Sequence, residues 1–242
     1  MADLFTNTND GRILSPTTTW AGARDANTGG SVVTNDIRHV NFTAVNRFGS
    51  RGGGNTYRVE RSYMYFDTSG IAGVVTSATI QIRGYSGNDG SVIAVKSTAF
   101  GGDGGTALST ADFDAIVGWT DGSTAEGNVT TYSSAITSGW STSGYNSLNS
   151  TEELRTDMQN DNVVIICFLD YSKDYLNNTP SVNGTVNNGA FYTDYSATNL
   201  HPYIEYVEAT TYGHEVLGIA ASSLHSVNGV TRANIAHVNG VG

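Results

Sequence analysis

The sequence is poor in three features that would place it in common functional classes. It has a single cysteine, Cys167, in 242 residues, which excludes an intramolecular disulfide. Only 12 Lys and Arg residues stand against 22 Asp and Glu, so the formal net charge is -10 and no basic cluster is present to neutralise phosphates. No run approaches the ~20 apolar residues of a membrane-spanning helix. The sequence therefore predicts neither a nucleic-acid nor a membrane partner.

The rest of the composition indicates a protein that faces the outside. Only 14% of the residues are charged, so hydroxyls, amides and glycine must cover much of the surface. Residues 1–6 nevertheless lack the basic and apolar regions of a signal peptide. Cys167 lies in the apolar run 163–169, where a small buried thiol is expected. An outward-facing chain without an export signal or a disulfide favours a virion component that is made in a host cytoplasm and released by lysis.

The hydrophobic pattern predicts an all-β fold, namely an antiparallel jelly-roll β-sandwich with one or two short helices. The 29 glycines and the short segments between turn signals leave little room for long helices. Residues 78–83 alternate strictly, with Ala78, Ile80 and Ile82 on one side. Residues 61–66 alternate as well. We expect both strands to have one buried side and one side in water.

The remaining elements follow from shorter signals. Further strands are predicted at 12–14, 31–33, 41–45, 92–96, 163–169 and 202–207. Capping patterns predict helices over 109–118 and from about residue 151. The run 163–169 is apolar on both sides, as in a strand covered on both faces. Residues 174–189 are expected to form a long loop, and the sandwich domain is expected to span residues 1–208.

Three tyrosines in the two alternating strands are the candidate binding residues. Tyr63, Tyr65 and Tyr85 are expected to share a solvent-facing side. Stacked phenol rings there suit either a pyranose ring or a protein surface. Both interpretations remain open, and the protein interface is favoured.

The sequence offers no arrangement typical of catalysis. A glycosidase needs two carboxylates in one cleft, and the candidates are Asp67, Asp170, Asp174 and Asp194. Asp67 and Asp170 stand at strand ends, where Asp commonly begins a turn. The five histidines show no metal-ligand spacing, and no Gly-x-Ser-x-Gly occurs. We therefore expect no enzyme activity, no cofactor and no metal.

Residues 209–242 carry an internal repeat of eleven residues. The repeat predicts short strands that turn back at Asn-Gly, and its aliphatic side chains are too few to order the segment alone. We hypothesise that this C-terminal extension packs on its own domain, on sister chains or on another protein. Its predicted interface residues are Val216, Leu224, Val227, Asn228, Gly229, Val230, Ile235, Val238, Asn239, Gly240 and Val241.

A short motif near the alternating strands resembles a known domain family. Arg61, Phe66-Asp67, Ser69 and Ile71, followed by residues 77–80, are similar to the R-x-x-x-x-F-D-x-S-x-I … S-A-T-L signature of the DNRLRE-like jelly-roll domains. Such domains resemble carbohydrate-binding modules in fold, and they occur in secreted surface proteins and in phage virion proteins. The resemblance implies a jelly roll.

A second set of residues resembles a phage virion jelly-roll family and extends the likeness over about residues 10–208. The matching residues are Phe113-Asp114, Gly118-Trp119, Tyr132-Ser133, Gly144-Tyr145-Asn146, Asp170-Tyr171 and Pro202-Tyr203-Ile204-Glu205-Tyr206. His201 departs from the pattern, because that family usually has Asp before Pro-Tyr. Repeats of the Val-Asn-Gly-Val kind are similar to those that end many phage structural proteins.

These resemblances imply a structural component of a phage particle. The first expectation is a capsid decoration or cement protein that contacts the major capsid protein through its extension. The alternative is a fibre, tail or receptor-binding subunit, a homo-oligomer such as a trimer, whose jelly roll binds host glycans. A carbohydrate-binding module of a secreted enzyme is a third interpretation, which the missing signal peptide disfavours.

Overall fold

A computed structural model describes residues 1–6, 10–34, 40–49, 54–88, 91–191 and 198–209, together with the backbone of 226–227 and 230–231. In these residues eleven strands form one antiparallel network. The strands are β1 (Ala2–Phe5), β2 (Gly11–Thr17), β3 (Ser31–Val33), β4 (Val40–Phe48), β5 (Asn55–Asp67), β6 (Val74–Gly87), β7 (Val92–Lys96), β8 (Tyr145–Asn149), β9 (Val163–Asp170), β10 (Thr185–Ala190) and β11 (Tyr203–Ala209). The two α-helices are α1 (Trp20–Arg24) and α2 (Glu152–Asn160). None of the described helices has the length and hydropathy that a membrane span requires.

The network consists of two sheets that share strand β6, which confirms the predicted all-β sandwich. The outer sheet has the order β1-β11-β6-β8, and the central sheet contains β10, β4, β5, β2 and β3, with β9 and β7 beside β5. The long strand β6 belongs to both sheets, because it pairs with β11 and β8 in its first part and with β10 over Gly84–Gly87. Although β5 and β6 follow each other in the chain, no backbone pairing joins them in the described residues.

Two hydrophobic cores cover the two faces of the central sheet. The first lies between the sheets, where Met64 and Phe66 of β5 meet Ile80 and Ile82 of β6. The second lies on the opposite face of the central sheet and is closed by α1 and by the mostly irregular segment 97–144. Strand β9 contributes alternate residues to both cores, as its apolar run predicts. The central sheet is therefore covered on both sides.

The segment 97–144 explains why one prediction for β5 is wrong. Residues 59–66 are all buried, so β5 has no side in water. Phe113 and Val129 of the covering segment belong to the second core, which Tyr63 and Tyr65 of β5 also join. The predicted alternation of β6 is confirmed, because Ala78, Ile80 and Ile82 are buried while the intervening residues are not.

Helix α2 follows the predicted capping pattern. Thr151 is its N-cap, and the Thr151 hydroxyl accepts a hydrogen bond from the Leu154 N–H. Leu154 and Met158, one turn apart, are both buried in the core between the sheets. The prediction of a short amphipathic helix after residue 150 is confirmed.

Two other elements differ from the prediction. Instead of a helix over 109–118, the chain forms one 3-10 turn at Thr110–Asp112, with the predicted capping box between Ser109 and Asp112. The chain then becomes extended because Ile116 bridges to Ser97, and Gly118 adopts a left-handed conformation with a φ of 85°. Within the predicted loop 174–189, β10 pairs with both β4 and β6. Its sequence, TVNNGA, has low strand propensity, so the pairing on both sides must stabilise it.

A buried ion pair joins β5 to the turn that follows β9. Both Arg61 and Asp174 are shielded from water. The Arg61 Nε and Nη2 atoms each donate to a carboxylate oxygen of Asp174 at 2.8 Å. Burial works against the charge of Arg61, but the Asp174 carboxylate outweighs that effect and the pKa of the guanidinium is raised. The bidentate geometry is the strongest that a carboxylate and a guanidinium can form.

Further groups complete the surroundings of Arg61. Its Nη1 atom donates to the Phe113 carbonyl at 2.9 Å, and its Nη2 atom donates to the Arg24 carbonyl at 2.8 Å. The Trp119 ring lies between two guanidiniums, 4.0 Å from that of Arg61 and 4.2 Å from that of Arg24. Arg24 is also buried, which lowers the pKa of its guanidinium even though Asp174 and Asp25 are near. Asp174 thus lies near both buried cations, and Asp25 provides the closer carboxylate for Arg24.

We predict that Asp174→Asn lowers the free energy of unfolding by about 3–5 kcal/mol, because it leaves the Arg61 charge buried without its partner. Chemical denaturation followed by far-UV circular dichroism measures the change. The matched control is Asp121→Asn at an exposed position, which should change stability by less than about 0.5 kcal/mol. Equal effects of the two substitutions would contradict the structural role of the pair.

We also predict that Cys167 reacts with thiol reagents only after unfolding. Cys167 has no exposure to solvent, and burial raises the pKa of its thiol to about 12. At about pH 8 the native chain should therefore remain unlabelled by iodoacetamide, whereas the denatured chain incorporates one label, as mass spectrometry will show. A Ser143→Cys variant provides the control, because Ser143 is exposed and its thiol should react in the native state.

Candidate functional site

The structure separates the three candidate tyrosines. Tyr63 is fully buried, and its hydroxyl donates to the Phe113 carbonyl at 2.6 Å. Tyr65 is 8% exposed and packs on Phe100, with ring centroids 5.4 Å apart. The prediction that Tyr63 and Tyr65 face solvent is therefore wrong, since the segment 97–144 covers them. Tyr85 is 38% exposed and is the one candidate of the three that the structure leaves at the surface.

Tyr85 belongs to a group of aromatic side chains on the outer sheet. Along β6, Gln81, Arg83 and Tyr85 alternate with the buried residues and so point away from the core. The group, here called the aromatic face, consists of Phe5, Tyr85, Tyr145, Phe191 and Tyr203. The face spans β1, β11, β6, β8 and the end of β10, so it covers much of the outer sheet.

Ring contacts divide the aromatic face into two groups, one of three rings and one of two. Phe5 lies directly opposite Tyr203 in the β1–β11 pairing, and their ring centroids are 5.6 Å apart. Tyr203 in turn meets Tyr145 edge to face at 5.2 Å, and Tyr85 meets Phe191 in the same way at 5.2 Å. The alternation of β11 produces this row, because Ile204 points inward and the residues beside it point outward.

Hydrogen bonds and charges fix the chemical character of the face. The Tyr145 hydroxyl donates to the carbonyls of Asn199 and His201, at 2.9 and 3.0 Å, which ties β8 to the segment before β11. Partial burial raises the pKa of Tyr203, and the nearby carboxylates of Asp3 and Glu205 raise it further. The Tyr203 phenol therefore lies beside acidic groups, while Arg83 places a cation on the same side of the outer sheet.

Phe5 is the most exposed side chain of the aromatic face. It is 50% exposed although it carries a large apolar ring. Its strand, β1, is an edge strand among the described residues, where it pairs with β11 alone. Sequence reasoning missed Phe5 because strand β1 was not predicted. It also missed Tyr203, although Tyr203 lies in the predicted strand 202–207, where alternation could have found it.

The candidate catalytic carboxylates have structural roles. Asp67 accepts hydrogen bonds from the N–H and hydroxyl of Ser69 and so forms a turn after β5. Asp170 caps the single π-helical turn Tyr171–Tyr175 by accepting from the Lys173 N–H at 2.7 Å. Asp174 neutralises Arg61. Asp194 lies outside the described residues, and within the described residues no cluster of three metal-binding side chains occurs.

The predicted interface of the C-terminal extension lies almost wholly outside the described residues. The backbone of β12 (Ser226–Val227) pairs antiparallel with β13 (Val230–Thr231), and Val227 stands opposite Val230. This pairing is the one that a tight turn at Asn228-Gly229 predicts. The other predicted interface residues stay predictions: Val216, Leu224, Ile235, Val238, Asn239, Gly240 and Val241.

We predict that the buried and exposed tyrosines respond differently to removal of a hydroxyl. Tyr63→Phe should lower the free energy of unfolding by about 1 kcal/mol, because a buried hydrogen bond to the Phe113 carbonyl is lost. Tyr85→Phe should change it by less than about 0.5 kcal/mol. Urea denaturation of both variants measures the difference. A neutral Tyr63→Phe would mean that the covering segment does not enclose the ring.

Comparison of the chain with protein-family models and with curated proteins gives no match.

Proposed function

We propose that this chain is a structural protein of a phage particle, most simply a decoration or cement protein of the capsid. The observation that carries the proposal is the aromatic face, which lies on an open-edged sheet and includes a half-exposed Phe5. Phe5 and Tyr85 are its exposed members, and exposed aromatic groups that lie together can mark a surface that binds another macromolecule. The sequence resemblance to phage virion jelly rolls supplies the kind of particle.

The position of the C-terminal extension supports an assembly role. The extension follows β11, a strand of the outer sheet, and Ala209 pairs with Val74 at the end of that sheet opposite to Phe5. Its repeat has few aliphatic residues, and a neighbouring surface would complete its packing. The C-terminal extension and the aromatic face would give the chain two places to contact the major capsid protein or sister chains.

The core supports a passive role. The polar atoms of Arg61, Asp174 and Tyr63 form hydrogen bonds with one another or with backbone carbonyls. These residues therefore stabilise the sandwich. A fibre or tail subunit would use the same surfaces for a homo-oligomer, and it remains the alternative location within the particle.

Purified particles of the phage that encodes the chain provide the test. Immunoblotting and quantitative mass spectrometry should find the chain in many copies, in a fixed ratio to the major capsid protein, and immunogold labelling should place it on the head. Labelling of the tail in few copies would favour the fibre alternative. Absence from particles would overturn the proposal.

A pair of variants tests whether the aromatic face makes the contact. Phe5→Glu should reduce the amount of protein bound to particles, because it places a charge in the face beside Asp3. Phe48→Glu is the matched control, since Phe48 is also exposed, at 57%, but lies on β4 of the central sheet. Equal occupancy of the two variants would exclude the aromatic face as the contact.

A further inference from the structure

A concavity lies at one end of the sandwich, away from the aromatic face. Its volume is about 560 Å³, which is within the range of small-ligand sites. One wall is the chain after β7, including Ser97, Thr98 and Asp103, and the other wall is the turn 160–162 between α2 and β9. We call this concavity the polar groove.

At the floor of the polar groove, the charge of the Lys96 ammonium is neutralised by the Asp157 carboxylate. The Lys96 ammonium is 2.8 Å from the Asp157 Oδ2 atom, and the Tyr132 hydroxyl donates to the same oxygen at 2.5 Å. Tyr132 is buried, and burial together with Asp157 raises the pKa of its phenol, so the phenol stays neutral. These contacts fix the side chains of three different elements in place. The one cation of the groove is therefore already paired.

The rim of the groove carries exposed polar side chains that form no hydrogen bonds with other described residues. Thr98, Asn160 and Asn162 are exposed, and their side chains take no part in the hydrogen-bond network of the described residues. Asp161 is half exposed, and its carboxylate is 4.0 Å from the Lys96 ammonium. Hydroxyl and amide groups both donate and accept, whereas a carboxylate accepts only. The rim thus offers donors and acceptors together.

The chemistry of the groove selects a class of ligand. Carboxylates at Asp103 and Asp161, on a chain of formal net charge -10, repel anions such as phosphate, sulfate or acidic sugars. Adjacent amides and carboxylates match the paired hydroxyl groups of a sugar ring, which also both donate and accept. The partly buried Val163 lines the groove beside them and presents apolar surface for the C–H groups of such a ring.

We propose that the polar groove binds a neutral sugar residue of a glycan through Asn160, Asp161 and Asn162. This function is additional to the proposed structural role and does not depend on it. It would give the chain an affinity for neutral glycans. The site differs from the tyrosines that the sequence indicated, because two of those are buried.

Binding to an array of neutral and sialylated glycans tests the proposal with the full-length chain. We expect signals for neutral glycans and none for their sialylated forms. A neutral glycan that binds is then titrated by NMR, where Asn162→Ala and Asp161→Ala should each weaken binding about fivefold to tenfold, since each removes hydrogen bonds to the ligand.

Asn149→Ala is the matched control, because Asn149 is an exposed asparagine on the outer sheet, at the end of β8. It should leave the affinity unchanged, and thermal unfolding should show all three variants folded. Three results overturn the proposal: no neutral glycan bound, a preference for sialylated glycans, or binding that the two groove substitutions leave unchanged. None of them bears on whether the chain is found in particles, so the two proposals fail separately.

Discussion

The bidentate pair between Arg61 and Asp174 is the constraint on which the rest of the sandwich depends. Its partners are 113 positions apart in the chain, and both are buried. A buried charge costs several kcal/mol unless it is paired, so the π-helical turn after β9 must hold Asp174 against β5. The same guanidinium holds the carbonyls of Phe113 and Arg24. One side chain thereby fixes β5, α1, the turn after β9 and the covering segment 97–144.

The strands of the sandwich differ in how well the sequence alone predicts them. Alternation and apolar runs correctly predict β6, β7 and β9, since these patterns report burial directly. They predict β5 as a strand but wrongly give it a side in water. Arg61 and Tyr63 have polar atoms, and only the tertiary contacts show that those atoms are satisfied within the core. A single sequence does not pair Arg61 with Asp174. Strand β10 was not predicted either, because its Asn and Gly residues form a strand through pairing with both β4 and β6, and a single sequence does not show this pairing.

The candidate site was predicted only in part. The alternation of β6 correctly predicts Tyr85 at the surface, whereas the other members of the aromatic face were not predicted. The polar groove is made from short polar side chains of two loops, which have no periodic signal. Its residues come together because α2 packs on the core through Leu154 and Met158 and so sets the turn 160–162 beside the chain after β7. A rigid sandwich with an aromatic face and a separate polar groove suits a proposed particle protein that attaches by one surface and displays another.

A cryo-EM reconstruction of the particle at side-chain resolution would test this division of surfaces most directly. We expect density for this chain with Phe5 and Tyr203 packed against a neighbouring subunit and with the turn 160–162 facing solvent. A reconstruction in which Phe5 and Tyr203 face solvent, while the chain is held through another surface of the sandwich, would contradict it.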